Sequence, residues 1–424
     1  MKLETIATHL GYDNKDSFGA MAVPIYQTTA YNFFTTKIAA DRFALREVGQ
    51  IYSRLTNPTT DVLEARVAAM EQGRAAIAVS SGQAAMFAAI ANLAKSGENI
   101  IISKKLYGGT TSLCVHTLKR FGIETRLFDS DNADDLEEKI DDKSRAIIYE
   151  TLSNPQLAVG NTDKIAQISN KYGVISIADN TVATPVLYNP LSHGIDVVVH
   201  SASKYISGHG LSIAGVVISS NELNDKLKGN KRYSHFNSPD ESYHGLIYAE
   251  LPFDTFDIFT LRIRLSILRD FGITLSPFNS FQLIQGLETL SVRVKEHSKS
   301  ALKVAEFLQS HPKVKSVNYP GLKGSKGYER IKRDFKDGMA SGLLCFEVES
   351  FDFAKQILDR VKIFNIVVNI GDTKSVITHP ASTTHQQLSK EELAAANIDE
   401  GLIRLSVGLE NVDDLIDDLK GAMK

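Results

Sequence analysis

VISIADNTVATPVLYNPLSHGIDVVVHSASK, residues 174–204, is the stretch whose reading decides the fold. It holds two short aliphatic runs, VISIAD (174–179) and DVVVHS (196–201), each closing on polar residues. The runs are apolar almost throughout instead of alternating, as strands covered on both faces should be. Working outward, five more runs read as strands, several of them of this continuous apolar kind: AIAVS (76–80), NIIIS (99–103), ETRLF (124–128), RAIIYE (145–150) and AGVVIS (214–219). Helical segments are expected between them at 83–94, 111–120, 132–140 and 162–172. Strand–helix alternation of this kind predicts an α/β fold built on a mostly parallel, seven-stranded sheet with right-handed crossovers.

Further out the pattern changes. Phe278, Phe281, Leu283, Ile284, Leu287, Leu290 and Val294 recur at helical spacing, predicting one long helix over 276–310. Beyond it, strands are expected near 343–349 and 402–407, and helices near 352–360 and 411–423. This reading divides the chain into a large domain at 61–275 and a smaller C-terminal α/β domain at 276–424. Residues 1–60, with Pro24, Pro58 and little periodicity, read as an N-terminal extension that reaches a neighbouring subunit.

A chain of 424 residues exceeds what one core normally covers, in keeping with two domains. Net charge is −3, with no basic footprint for nucleic acid or an anionic membrane, so small molecules are the expected partners. Two cysteines, Cys114 and Cys345, cannot frame a disulfide scaffold and predict a reducing, cytoplasmic setting. The opening MKLETIATHLGYDNKD has no apolar core for a secretion signal. The most apolar stretch, Ala84 to Ala94, is short and broken by Asn92, so no membrane span is expected.

In open α/β sheets ligands bind outside the carboxyl ends of the strands, so the residues that follow each strand carry the information. Ser80-Ser81-Gly82-Gln83 precedes a helix and could seat a phosphate on free backbone N–H groups; taken alone, it reads more simply as an N-cap. Tyr107-Gly108-Gly109 could lay an aromatic ring over a planar ligand, or form a surface turn. Asn154-Pro155 and Asp179-Asn180-Thr181 end two further strands, and a buried Asp179 would want a cationic partner such as a protonated pyridine nitrogen. Ser201-Ala202-Ser203-Lys204 offers a lysine amine between small hydroxyl residues, suited to condense with an aldehyde and to act as a base. Each signal is weak alone; their common placement at one sheet edge strengthens all of them. Neither G-x-G-x-x-G nor G-x-x-x-x-G-K-[ST] occurs, so no dinucleotide or nucleotide triphosphate is indicated.

Longer stretches extend these signals: VPIYQTTAY (23–31), IYSRLTNPTTDVLE (51–64), SSGQAA (80–85), DNTVATP (179–185), HSASKYISGHG (200–210), HFNSPDESYHGL (235–246), THPASTTH (378–385) and RLSVGLE (404–410). With them the chain resembles, over nearly its whole length, the Cys/Met-metabolism family of pyridoxal-phosphate enzymes, and within it the O-acetylhomoserine sulfhydrylases. The resemblance implies pyridoxal-phosphate fold type I, the aspartate-aminotransferase-like fold. It implies pyridoxal 5′-phosphate as the cofactor, carried by Lys204 as a Schiff base, and calls for no metal. Asp179 would pair with the ring nitrogen, and Tyr107 would stack on the ring and assist proton transfer. Gly82 and Gln83, through their backbone N–H groups, with Ser201 and Ser203, would hold the phosphate. Tyr52 and Arg54 would reach the phosphate of the neighbouring subunit. Arg404 would clamp the substrate carboxylate, helped by Ser375 and Asn154.

The implied activity is γ-replacement in methionine biosynthesis, O-acetyl-L-homoserine plus sulfide to L-homocysteine plus acetate, with Lys204 moving protons at Cα and Cβ. GDTKS (371–375) replaces the G-G-x-E-S pattern of cystathionine synthases and lyases, and Gly109 stands where methionine γ-lyases carry a reactive cysteine. Both choices favour replacement over the alternatives, methionine γ-lyase or cystathionine γ-synthase activity. Ser203 stands where many relatives have Thr, keeping the hydroxyl. A fold kept for binding without catalysis would be expected to lack Lys204 or Asp179, and both are present. Free sulfide, methanethiol and a sulfur-carrier protein all remain compatible donors, as do acetyl, succinyl and phospho leaving groups. The expected assembly is a homotetramer, a dimer of active dimers.

Overall fold

The computed structural model describes residues 1–15, 18–383 and 399–424; Thr384 and His385, the end of THPASTTH, lie outside the described residues. Seven strands, β1 (Ala75–Val79), β2 (Asn99–Ser103), β3 (Glu124–Phe128), β4 (Ser144–Glu150), β5 (Ile175–Asp179), β6 (Val197–His200) and β7 (Gly215–Ser219), form one sheet in the order β1-β7-β6-β5-β4-β2-β3. Strands β2 to β6 pair in parallel, while β7 runs antiparallel between β1 and β6. Alternate residues feed two different cores. Ile77, Ile102, Ile148, Ile177 and Val199 pack on one face, and Ala78, Ile101, Ile147, Ala178 and Val198 on the other. The continuous apolar runs thus reflect a sheet buried on both sides, as the sequence implied.

The helices Gly82–Ala91 and Thr162–Tyr172 cover the sheet near their expected positions. The helix expected at 132–140 does not form: only Glu137–Lys139 makes a 3₁₀ turn. Ala133 takes φ of 56°. Asn132 Oδ1 accepts from the Asp134 N–H, and Asp135 Oδ1 from the Asp129 N–H. Short polar side chains here bond the backbone in a turn, which competes with helix formation.

The helix Pro277–Ser310 has 34 residues, about 50 Å at 1.5 Å per residue. It starts where the sequence predicts: Ser276 Oγ accepts from the Asn279 N–H and Pro277 opens the first turn. After it, β8 (Val314–Asn318), β9 (Leu343–Val348), β10 (Asn365–Ile366), β11 (Val376–Thr378) and β12 (Leu402–Ser406) form a second sheet, β10-β11-β12-β9-β8. Helices Phe351–Arg360 and Val412–Ala422 accompany it. β9, β12 and both helices stand where expected; β8, β10 and β11 had no sequence signal of their own.

Residues 1–60 divide in two. The helix Leu3–His9 packs on its own chain, held by the buried Arg66, which donates to the carbonyls of Ala7, Thr8 and Leu10. Further along, Phe18, Met21, Phe34 and Val48 are each about four-fifths exposed or more, at 92%, 85%, 83% and 79%.

Candidate active site

The carboxyl ends of β4, β5 and β6, with the loops after β1 and β2, surround a cavity of about 280 Å³. Ser81, Gly82, Gln83, Tyr107, Asn154, Asp179, Ser201, Ser203, Lys204 and Arg404 all line it.

Ser81 caps the helix Gly82–Ala91, its Oγ accepting from the Ala84 N–H at 3.1 Å. That leaves the Gly82 and Gln83 N–H groups without intrahelical acceptors, at the positive end of the helix dipole. Gly82 must be glycine here: a Cβ would lie 2.6 Å from Ser201 Cβ. The helix start and the Ser201 side chain are therefore in close contact at the cavity. The Ser201 N–H donates to Thr181 Oγ1 at 2.8 Å. Ser203 Oγ is engaged with Ala214, donating to its carbonyl at 3.1 Å and accepting from its N–H at 2.9 Å. These bonds fix the turn that carries Lys204.

Lys204 Nζ donates to Asn369 Oδ1 at 3.0 Å. Burial, and next the Arg404 charge, push its pKa below the usual lysine range, which favours a free amine. Asp179 is partly exposed to the cavity, and its Oδ1 accepts from the Thr181 N–H at 3.0 Å. Burial raises its pKa, opposed by the Thr181 hydrogen bonds and the His200 charge. A cationic partner in this position would oppose that shift and favour the ionised carboxylate.

Tyr107 leaves β2 with its ring over the cavity and Gly109 behind it; a Cβ at 109 would fall 2.5 Å from a ring carbon. Arg404, on β12 and 6% exposed, enters from the small domain. Its Nη1 donates to Asn154 Oδ1 at 2.9 Å and its Nη2 to the Asn369 carbonyl at 3.3 Å.

Three residues fall elsewhere. Ser375 is fully buried away from the cavity: its hydroxyl donates to Glu410 Oε2 at 2.8 Å and accepts from the Gly408 N–H. It cannot help clamp a substrate, and Asn369, six residues earlier, occupies the cavity instead. Tyr52 and Arg54 lie outside the cavity of their own chain; Arg54 stacks 5.6 Å over the Tyr52 ring and donates to the Arg269 carbonyl. The sequence reading also passed over Glu150, Ile213 and Val368, all of which line the cavity. Glu150 ends a strand like Asp179, so the rule that found one could have found the other.

Helix-start amides beside Ser201 suit a phosphate, Asp179 a ring nitrogen, the Tyr107 face a planar ring and Lys204 an aldehyde. The residues present fit pyridoxal phosphate, and the fold and site together define a pyridoxal-phosphate enzyme of fold type I. The chain belongs to the Cys/Met metabolism PLP-dependent enzymes, whose family model matches residues 4–424. It is 45% identical to the O-acetyl-L-homoserine sulfhydrylase of Leptospira meyeri, over 100% of this chain and 97% of that protein. It is 40% identical to the homocysteine synthase of Schizosaccharomyces pombe, over 99% and 98%. A crystal structure of an O-acetylhomoserine (thiol)-lyase from Campylobacter jejuni, carrying N′-pyridoxyl-lysine-5′-monophosphate, superposes with a TM-score of 0.97 at 52% identity, covering 100% of both chains.

Proposed function

We propose that this enzyme replaces the acetoxy group of O-acetyl-L-homoserine with sulfide, giving L-homocysteine and acetate in methionine biosynthesis. The observation that carries the reading is one cavity that unites Lys204, Asp179 and Arg404, in a chain similar from end to end to proteins named for this reaction. Pyridoxal phosphate, when bound, supplies an electron sink for charge developing at the substrate Cα.

The protein's own groups do the rest. The Gly82 and Gln83 amides, with Ser201, hold the phosphate; Ser203 acts one step removed, by pinning the lysine turn to Ala214. Asp179 keeps the ring nitrogen protonated. Tyr107 covers the ring face. Arg404, oriented by Asn154, takes the substrate carboxylate through its fork of donors. Lys204 Nζ moves the Cα and then the Cβ proton, its burial and the Arg404 charge favouring the free amine. Tyr52 and Arg54 complete the phosphate seat of a second copy, which makes the active unit a dimer and a pair of dimers the assembly. Two free, buried cysteines support a cytoplasmic setting.

Steady-state kinetics with O-acetyl-, O-succinyl- and O-phosphohomoserine, each with sulfide, methanethiol and cysteine, test the reading. The highest kcat/KM is expected for the acetyl ester with sulfide. Preference for the succinyl ester with cysteine would make the enzyme a cystathionine synthase and overturn it.

A further inference from the structure

Glu150 closes β4 opposite Asp179 at the end of β5; the two are register partners, so their side chains leave the sheet on the same side. Glu150 is 5% exposed. Its Oε1 accepts from the Tyr107 N–H at 2.6 Å, and its Oε2 from the Asn154 N–H at 2.9 Å. Two donors on two oxygens is the pattern of an ionised carboxylate. Among the described residues the charged group acting on it is Asp179, which repels it. An uncompensated carboxylate at this depth is costly, and an apolar side chain would fill the space more favourably. What an apolar side chain could not do is hold those two amides. They belong to the loops on either side of the cavity, and Asn154 in turn orients Arg404.

We infer that Glu150 is a positioning residue whose single carboxylate fixes the Tyr107 ring and the Asn154–Arg404 pair relative to each other, and whose charge beside Asp179 makes the cavity floor select a ring with a protonated nitrogen. The inference rests on reading the cavity as the pyridoxal-phosphate seat.

The cofactor-free protein should reveal the pair. Burial raises the affinity of both Glu150 and Asp179 for a proton in the folded state, and for Glu150 the Asp179 charge adds to it. A raised carboxyl pKa adds stability that is fully present below the ordinary carboxylate range and is lost as pH rises through the folded value. The apoprotein should therefore lose melting temperature as pH rises above the ordinary carboxylate range. Bound pyridoxal phosphate, with a proton on the ring nitrogen facing Asp179, should flatten that slope.

Glu150→Gln removes the charge, and its amide has one acceptor oxygen for two N–H groups. The apoprotein of this variant should show less than half the wild-type slope and melt no lower than wild type at the alkaline end of the series. Its dissociation constant for pyridoxal phosphate, and KM for O-acetylhomoserine, should each rise about tenfold, the effect of losing a hydrogen bond to a charged group. Glu150→Asp, which keeps the charge, should keep the slope. A variant that melts lower with an unchanged slope, or that binds cofactor and substrate normally, overturns the proposal. Should Glu150→Gln not fold, the Asp179→Asn apoprotein decides the pairing, since its slope must flatten too. Failure of the wild-type apoprotein to bind pyridoxal phosphate would instead refute the cofactor reading, leaving the slope comparison to judge the carboxylate pair separately.

Discussion

Asn369 shows how one side chain can tie the two domains to a single reacting nitrogen. Its Oδ1 accepts from Lys204 Nζ at 3.0 Å, while its backbone carbonyl, which no substitution removes, accepts from Arg404. Asn369→Ala should therefore lower kcat about tenfold, within the range for a mispositioned proton-transfer group, and leave KM within about twofold. Asn369→Ser, retaining a shorter acceptor, should fall between. Steady-state kinetics decide it, and a rise in KM with unchanged kcat would assign the residue to substrate binding alone. Lys204, Asp179 and Tyr107 were legible in the sequence because each stands at, or within a few residues of, the carboxyl end of a strand, where ligand contacts concentrate. Asn369 was not, because it follows the two-residue β10 and reaches the cavity only through the way the small domain folds. Ser375 misled for the complementary reason: its motif placed it near the site, but Glu410 and Gly408 occupy its hydroxyl.

Strands and helices differ in how plainly the sequence announces them. Apart from β3 at the sheet edge, with Glu124, Thr125 and Arg126, the strands β1 to β7 are short and mainly apolar, a signal that burial on both faces makes unavoidable. β10 and β11, of two and three residues, are too short to carry a periodicity. The 132–140 segment looked helical by composition, and its Asn and Asp side chains then bonded the backbone in a turn. Capping chemistry was clearer, and the helix Gly82–Ala91 shows its consequence. Ser81→Ala leaves the Ala84 N–H unpaired at the cavity edge and should cost about 1 kcal/mol. For the apoprotein that is a melting-temperature loss of about 2 °C. Ser81→Gly should lose only a few tenths as much, roughly 0.3 kcal/mol. Equal losses in the two variants would mean that the Ser81 hydroxyl contributes nothing as a cap.

For the whole molecule, the N-terminal segment raises the question of what covers it. Phe18, Met21, Phe34 and Val48 are exposed, and Ile213 and Val368 at the cavity mouth are 66% and 54% exposed. Exposed apolar side chains in this segment and at the cavity mouth suit contact with a second copy, arranged about a two-fold axis so that sharing is reciprocal. Mixing Arg54→Ala with Lys204→Ala under subunit exchange should form hybrid dimers with one complete site, and activity should reappear. Hybrids that are confirmed by native mass spectrometry yet stay as inactive as their parents would exclude a shared site. The central claim concerns which bond is remade at Cγ, and one product assay tests it most directly. Purified holoenzyme given O-acetyl-L-homoserine and excess sulfide should release homocysteine and acetate in equal amounts, with 2-oxobutyrate and ammonia as trace products. Release of 2-oxobutyrate and ammonia in step with acetate, with little homocysteine, would contradict replacement and make the enzyme a lyase.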